Sequence, residues 1–104
     1  MAQFDVYENA DSETRSLFPY LLDVQAEMLG NLPTRVVAPL LSSTAINKPI
    51  PVLNPILEIE ETEVIMSTQQ LVGVHANVFG KKVCSLKDKR DLIIAALDLL
   101  FTGY

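Results

Sequence analysis

The chain has 104 residues, of which 49% are hydrophobic, and its formal net charge at pH 7 is −5. This length predicts one domain spanning residues 1–104, and the hydrophobic share excludes a disordered chain and predicts a buried interface, as in a homodimer. The negative charge argues against direct nucleic-acid binding, which needs clustered Lys and Arg side chains.

Three strands are predicted in the first half of the chain, separated by polar segments. Residues 4–7 alternate apolar and polar side chains, which is typical of a half-buried strand. Residues 20–25 and 35–41 are mainly apolar, and the second run contains several β-branched side chains. Residues 8–16 are polar and residues 30–34 include turn-forming types, so both segments predict surface loops.

Prolines shape the middle of the chain. Pro39 cannot donate to a strand ladder, so it predicts an edge position or a bulge within the third strand. Residues 42–54 predict an irregular segment, because Pro49, Pro51 and the following Pro55 disfavour a helix there.

The second half of the chain begins with a predicted hairpin. Residues 56–59 and 64–67 have the composition of strands, and they flank an acidic turn at 60–63. A strand-like stretch follows at 71–79 and ends at Gly80, and residues 81–84 predict a short strand.

One helix is predicted from Ser85 to about residue 102, with Ser85 as N-cap and Asp88 completing a variant of the capping box. Its second half is apolar nearly all round, which predicts that the helix is covered on more than one side. We expect Leu97, Leu100 and Phe101 to anchor it in the core and a dimer seam. The expected fold is mainly β with a C-terminal α-helix.

No motif predicts catalytic residues, a metal site or a bound cofactor. His75 lies in a strand pattern, where a structural or surface role is favoured over that of a general base. Cys84 is predicted to be a small core residue, and nothing in the sequence pairs it with His75. Four glutamates could bind a hard cation, although alternation with Ile59 favours the solvated face of a hairpin: Glu58, Glu60, Glu61 and Glu63.

Asp23 interrupts an apolar run, between Leu22 and Val24. A carboxylate in such a place must be hydrogen-bonded or lie at the rim of the core. Two interpretations stay open: Asp23 braces the following turn, or it contacts a partner.

The sequence also predicts a cellular compartment. A single cysteine excludes an intrachain disulfide bond. The first residues lack the basic and apolar regions of a signal peptide, and no apolar run approaches the ~20 residues of a membrane span. We expect a cytoplasmic protein.

Six segments, in order along the chain, resemble the CcdB family of toxins. They are MAQFDVY at the start, LLDVQAEML at 21–29, RVVAPL at 35–40, LNPIL at 53–57, MSTQQLVGV at 66–74 and LLFTGY at the end. Each segment is short, and their order, spacing and total length carry the resemblance. It implies a small SH3-like barrel with an extra antiparallel sheet and a C-terminal helix, as in CcdB, Kid and MazF.

The resemblance implies the toxin of a toxin–antitoxin module. A CcdB-like toxin is a homodimer and not an enzyme, and it binds the DNA gyrase A subunit and traps gyrase on cleaved DNA. Its antitoxin is a DNA-binding dimer whose disordered C-terminal tail wraps the toxin and removes it from gyrase. The complex of the two proteins represses its own operon.

The resemblance also implies gyrase-contacting residues. The tip of the family's helix corresponds to Thr102, Gly103 and Tyr104, where Tyr104 replaces a terminal aliphatic residue. Ala26 stands in place of a contacting serine, and Asp98 in place of an asparagine. The implied gyrase-binding set is Gln25, Ala26, Met28, Asp98, Thr102, Gly103 and Tyr104.

The polar loop after the first strand is the expected antitoxin-binding element. The family resemblance and an acidic surface suited to basic residues of a peptide that folds on binding both favour this loop. The predicted contacts are Glu8, Asn9, Asp11, Glu13 and Arg15.

Two other functions stay open. Tyr104 and Ala26 are compatible with a homologue that binds antitoxin but no longer poisons gyrase. A MazF/Kid-type endoribonuclease is less favoured, because the chain is acidic and its three arginines, Arg15, Arg35 and Arg90, are scattered. Tyr104 is expected at a partner, and the alternative is that it packs back onto its own domain.

Overall fold

The computed structural model describes residues 2–45 and 48–104. Within these residues the chain forms seven strands and then one α-helix. Their bounds are β1 Asp5–Asn9, β2 Tyr20–Asp23, β3 Thr34–Ser42, β4 Ile56–Ile59, β5 Thr62–Met66, β6 Val72–His75, β7 Phe79–Ser85 and α1 Arg90–Thr102. Short 3₁₀ turns lie at Glu27–Leu29, Thr68–Gln70, Ala76–Val78 and Lys87–Lys89.

The strands form one curled antiparallel sheet in the order β4-β5-β3-β2-β1-β7. The long strand β3 pairs with β6 through residues 34–37 and with β5 through residues 40–42. The predicted fold, mainly β with a C-terminal helix, is confirmed. The predicted irregular segment 42–54 is confirmed only in part, because residues 46 and 47 lie outside the described residues.

Pro39 lies where β3 changes partners. Its carbonyl oxygen accepts a hydrogen bond from the Ser67 amide at 2.9 Å. This is the side of β3 that faces β6 and β5, and Pro39 pairs with neither strand. The nitrogen and carbonyl of one strand residue point to the same side, so the missing N–H faces a gap in the ladder. The prediction for Pro39 therefore holds locally, although β3 is a central strand.

The helix covers one face of the sheet. Val6, Leu22 and Ala38 are register partners across three strands, and all three are buried against Ile93 and Ala96 of α1. Burying a side chain the size of Ile93 stabilises the fold by about 1.5–3 kcal/mol. The residues between them on each strand point to the opposite face of the sheet.

The hairpin turn is tighter than the sequence predicts. Ile59 pairs directly with Thr62, so the turn consists of Glu60 and Glu61 alone, with φ of 49° and 67°. Positive φ at both positions is the geometry of a type I′ turn, whose twist matches that of the flanking strands. The rest of the expected acidic turn, Thr62 and Glu63, belongs to β5.

The stretch predicted as one strand at 71–79 is not continuous. β6 ends at His75, a 3₁₀ turn follows, and β7 starts at Phe79, so that Gly80 lies inside a strand instead of ending one. β6 pairs with β3 whereas β7 pairs with β1, so the chain must cross the sheet between them. Gly80 suits this site, because a Cβ there would lie 3.0 Å from the Glu8 carbonyl oxygen.

The start of α1 differs from the prediction, and its end agrees. Ser85 is the last residue of β7, and its hydroxyl accepts a hydrogen bond from the Lys87 amide at 3.3 Å. Ser85 therefore supports the intervening 3₁₀ turn, and the predicted capping box with Asp88 is wrong. The α-helix itself begins at Arg90 without a side-chain cap and ends at Thr102.

Candidate functional site

The C-terminal end of α1 is closed by Gly103. Its φ is 79°, in the left-handed region, and its amide donates to the Leu99 carbonyl at 3.0 Å. Glycine adopts this conformation without the steric cost that a Cβ imposes. The helix therefore ends at Gly103 as the sequence predicts, and Tyr104 projects beyond it.

The side chains around this end are exposed. Tyr104 is 92% exposed, so it does not pack back onto its own domain. Phe101 is 69% exposed and Leu100 is half-buried, whereas Leu97 packs against the core. Phe101 therefore does not pack into the core of its own protomer, which corrects that part of the expectation, while its place in a dimer seam stays a prediction. We call the exposed segment 101–104 the tip.

Asp98 lies one turn before the tip on the exposed side of the helix. The Thr102 hydroxyl donates to the Asp98 backbone carbonyl at 2.7 Å, and neither side chain is buried. The Asp98 carboxylate is thus presented to solvent beside the tip.

The loop after β2 contains the other predicted gyrase-binding residues. Ala26 and Met28 are exposed, whereas Gln25 is buried. The side-chain nitrogen of Gln25 donates to the Leu29 carbonyl, and its side-chain oxygen accepts from the Val36 backbone amide, both at 3.0 Å. Gln25 therefore holds the shape of the loop. Leu29 and Leu32 are also exposed near this loop. Nothing in the sequence distinguishes these two leucines from core residues, so the sequence analysis missed them.

A buried ion pair lies beneath this loop. One carboxylate oxygen of Asp23 lies 2.9 Å from Nε and 2.7 Å from Nη2 of Arg35. The other carboxylate oxygen accepts a hydrogen bond from the Gln25 backbone amide at 3.0 Å. Burial raises the pKa of the Asp23 carboxyl, while the Gln25 amide and Arg35 oppose that shift. The interpretation that Asp23 braces the turn is confirmed, and its burial with Arg35 is a structural finding that the sequence analysis missed.

The loop and the tip lie at opposite ends of α1 within one protomer. The Glu27 carboxylate is 3.6 Å from the Lys87 ammonium and shares a shallow depression with Arg90, at the start of the helix. α1 is 13 residues long, which is about 20 Å at 1.5 Å per residue, and the tip lies at its far end. One protomer therefore does not bring all the predicted gyrase-binding residues into one patch.

The predicted antitoxin-binding loop is held by Asn9. Its side-chain nitrogen donates to the Thr14 hydroxyl at 2.9 Å and to the Phe18 carbonyl at 3.0 Å, and its oxygen accepts from the Asp11 amide at 3.0 Å. Asn9 is buried, so its role is to order the loop. The other predicted contacts are exposed: Glu8, Asp11, Glu13 and Arg15.

Two clefts border this loop. The larger, of about 410 Å³, is polar and includes Glu8, Arg15 and Tyr20 in its lining. The smaller, of about 230 Å³, has an apolar lining that includes Phe18 and Val74, with Asp11 among its few polar residues. Charged and apolar side chains therefore border the same loop.

His75 and Cys84 lie on different strands. His75 is exposed at the end of β6, where its Nδ1 accepts from the Asn77 amide at 3.4 Å. Cys84 is half-buried against the core, and burial followed by the charge of Glu60 raises the pKa of its thiol. A raised thiol pKa lowers the thiolate fraction at neutral pH, which disfavours a nucleophilic role.

Among residues 2–45 and 48–104, no group of three or more His, Cys, Asp or Glu side chains is arranged to hold a metal ion. Over the same residues, no helix has the length and apolar character to cross a membrane.

The family model described as CcdB protein matches residues 3–103, which is nearly the whole chain. The chain belongs to the CcdB family. The resemblance found in the sequence is therefore confirmed, and with it the broad assignment as a CcdB-family toxin.

Solved structures share the fold of this CcdB-family protein. One is described as an endoribonuclease in complex with its cognate antitoxin from mycobacterial species; its TM-score is 0.76 at 13% identity, covering 96% of this chain and 93% of that chain. Another is described as an endoribonuclease from mycobacterial species; its TM-score is 0.74 at 13% identity, covering 96% of this chain and 89% of that chain. At this identity the likeness establishes the fold alone.

Proposed function

We propose that this CcdB-family toxin is a homodimer that binds the DNA gyrase A subunit through the tip and traps gyrase on cleaved DNA. The observation that supports the proposal most is the exposed end of α1, where Gly103 closes the helix and Tyr104 is 92% exposed. A folded domain gains nothing from leaving Phe101 and Tyr104 in water, whereas aromatic side chains are favoured anchors of protein interfaces.

The shape of the tip supports close approach of a protein surface. A Cβ built on Gly103 would meet no atom within 4 Å, so the space beside the backbone is open to a partner. An aromatic anchor at the centre of an interface often contributes about 2 kcal/mol or more, which is roughly a thirtyfold change in affinity. Tyr104 is the anchor that we assign to this role.

We assign the loop around Ala26 and Met28 to the same target in a dimer. The two elements lie at opposite ends of one helix, so a single gyrase surface would meet the tip of one protomer and the loop of either protomer. Gln25 supports binding indirectly, because its side chain is occupied by Leu29 and Val36.

We further propose that an antitoxin with a disordered, basic tail neutralises the toxin at the loop after β1. Glu8, Asp11 and Glu13 are exposed there, and they give the loop a negative charge that suits Lys and Arg side chains. A structural relative is described in complex with its cognate antitoxin. The proposed toxin acts by binding and not by catalysis.

Induced expression in bacteria, with gyrase-dependent DNA cleavage measured on the purified protein, tests this function. We expect wild type to arrest growth and to accumulate cleaved DNA, and Tyr104→Ala to weaken both effects at least about tenfold. Ile50→Ala, which alters an exposed apolar side chain outside the assigned sites, is the matched control and should behave as wild type. Growth arrest without cleaved DNA would contradict gyrase poisoning.

The two alternatives give different outcomes. A homologue that only binds antitoxin would leave growth and gyrase unaffected while still binding a cognate tail. An endoribonuclease would cleave RNA. We test for this activity because the chain shares its fold with solved structures described as endoribonucleases. Arg35 is 1% exposed and occupied by Asp23, so it is not placed to contact RNA.

A further inference from the structure

The outer side of β4 is an open edge of the sheet. β4 stands at one end of the strand order, and within the described residues no strand pairs with its outer side. A cleft of about 230 Å³ lies between the hairpin and the start of α1, and its lining is Ile56, Leu57, Glu58, Glu63, Lys89 and Leu92. None of these residues belongs to the tip or to the loops assigned to gyrase and the antitoxin.

The register of the hairpin shows which backbone groups of β4 are free. Ile59 pairs with Thr62 across the two-residue turn, and hydrogen-bonded pairs alternate along an antiparallel ladder. Leu57 is therefore bonded to β5, whereas the N–H and C=O groups of Ile56 and Glu58 point away from β5. Both residues are exposed, and Ile56 is 54% exposed. The edge thus offers two N–H and two C=O groups to an added strand.

The side chains along this edge combine negative charge with apolar surface. Glu58 lies directly opposite Glu63, and like charges in such a pair repel one another. In the part of the chain that the structure describes, neither carboxylate forms an ion pair, although Lys89 borders the same cleft. Leu92 is 49% exposed on the helix side of the cleft. A cation beside the two carboxylates would relieve their repulsion, and apolar side chains would cover Ile56 and Leu92.

We propose that the β4 edge binds an extended peptide of a partner protein, which adds to the sheet as an antiparallel strand and carries Lys or Arg followed by two apolar residues. The pattern follows from the pleat, which turns alternate side chains to opposite faces. The basic residue lies opposite Glu58 and shares its face with Glu63. The next residue shares the face of Leu57, where Leu92 borders the cleft, and the third lies opposite Ile56.

Charge favours a basic peptide over a second copy of this chain at the β4 edge. Pairing of β4 with its own copy would bring together two hairpins that each carry glutamate at positions 58, 60, 61 and 63. Exposed charges of this kind are how natural sheets prevent pairing with their own copies. The same carboxylates attract a cationic strand, so charge selects the partner at this edge.

A synthetic peptide tests strand addition. The probe is an acetylated and amidated peptide with Lys-Val-Val at its centre, and its binding to the full chain is measured by calorimetric titration. We expect the bound probe to protect the amides of Ile56 and Glu58 from hydrogen exchange, because β5 does not use these N–H groups. The Leu57 amide, which donates to β5, should change little. Binding without this protection, or no binding to wild type at millimolar concentration, overturns the proposal.

N-methylation of the probe provides the matched control. A methyl group on the nitrogen of the second valine removes the N–H that faces Ile56, and we expect it to weaken binding about fivefold or more. The same methyl group on the first valine removes an N–H that points away from β4, so binding should be largely kept. Equal loss or equal retention with the two methylated probes overturns the proposed register.

Charge reversal at Glu58 separates binding from folding. Glu58→Lys should weaken binding of the lysine probe at least about fivefold, because repulsion replaces an attractive cross-strand pair. Its melting temperature should not fall below that of wild type, since lysine opposite Glu63 relieves the repulsion within the hairpin. A probe with Glu in place of Lys should bind this variant better than it binds wild type.

The acidic loop after β1 is the competing site for a basic probe. Unchanged binding of the lysine probe to folded Glu58→Lys overturns the β4 edge. Loss of binding in Glu13→Lys with no loss in Glu58→Lys also overturns it and assigns the probe to that loop. Neither result depends on gyrase, so the proposed function stands or falls separately.

Discussion

The side chains around Asp23 are buried and bonded within the protomer, whereas those at the end of α1 are exposed. Beneath the loop after β2, the Asp23 and Arg35 side chains are fully buried, and Asp23 and Gln25 hydrogen-bond within the protomer. At the tip, Phe101 is 69% exposed and Tyr104 is 92% exposed. The difference separates residues that maintain the fold from residues that are free to meet a partner.

This contrast also divides the residues that the sequence analysis assigns to contacts with gyrase or the antitoxin. Gln25 and Asn9 belong with the first group, because their side chains are engaged by neighbouring backbone. Met28 and Tyr104 belong with the second. Substitutions in the first group should lower stability, and substitutions in the second should lower binding at constant stability.

The largest expected effect is at the buried ion pair. Arg35→Met should lower the free energy of unfolding by about 3–5 kcal/mol, because it leaves the Asp23 carboxylate buried without its partner. The double variant with Asp23→Asn is the control, since asparagine is neutral and still offers an acceptor to the Gln25 amide. Urea unfolding should show the double variant to be more stable than Arg35→Met, and the reverse order would contradict the role of the pair.

The next effect contrasts a buried residue of α1 with an exposed residue beyond its C-terminal end. Ile93→Ala should cost about 2–5 kcal/mol through the cavity it leaves in the core. Tyr104→Ala should change stability by no more than about 0.5 kcal/mol, because an exposed side chain is removed. Thermal unfolding of both variants checks the contrast, and a strongly destabilised Tyr104→Ala would show that the tip is structural.

A smaller effect separates two residues of one loop. Gln25→Ala should destabilise the protein by about 1–3 kcal/mol, because the half-buried Val36 amide loses its acceptor. Met28→Ala should stay within about 0.5 kcal/mol of wild type, since Met28 is 89% exposed. Equal destabilisation of both variants, measured by urea unfolding, would remove the distinction.

The smallest effect concerns Cys84. Its raised pKa lowers the thiolate fraction at neutral pH, so alkylation by iodoacetamide at pH 7.5 should be slower than in the urea-unfolded chain. The rate should rise with pH above the ordinary thiol range. A thiol that reacts in the folded protein as fast as in the unfolded chain would mean that Cys84 is activated.

Local pattern was sufficient to predict much of this fold. The alternation at 4–7, the apolar runs near β2 and β3 and the acidic hairpin all correspond to observed strands. Gly103 ends α1 as expected, because a left-handed helix end is a local property of the chain.

Features that depend on strand partners were not predictable in this way. Residues 71–79 carry one continuous strand-like pattern, and only the separate pairings with β3 and β1 require the turn at Ala76–Val78. Arg35 resembles a surface residue in sequence, and its burial depends on Asp23 from the neighbouring strand. The separation of loop and tip along α1 is likewise a matter of tertiary arrangement.

The most direct test of the proposed gyrase contact is a calorimetric titration of a gyrase A fragment into wild type and into the chain ending at Phe101, with thermal unfolding of both. We expect wild type to bind, and the shortened chain to lose binding while its melting temperature stays within a few degrees of wild type. Undiminished binding by the shortened chain, or loss of binding only because that chain unfolds, would contradict recognition by the tip.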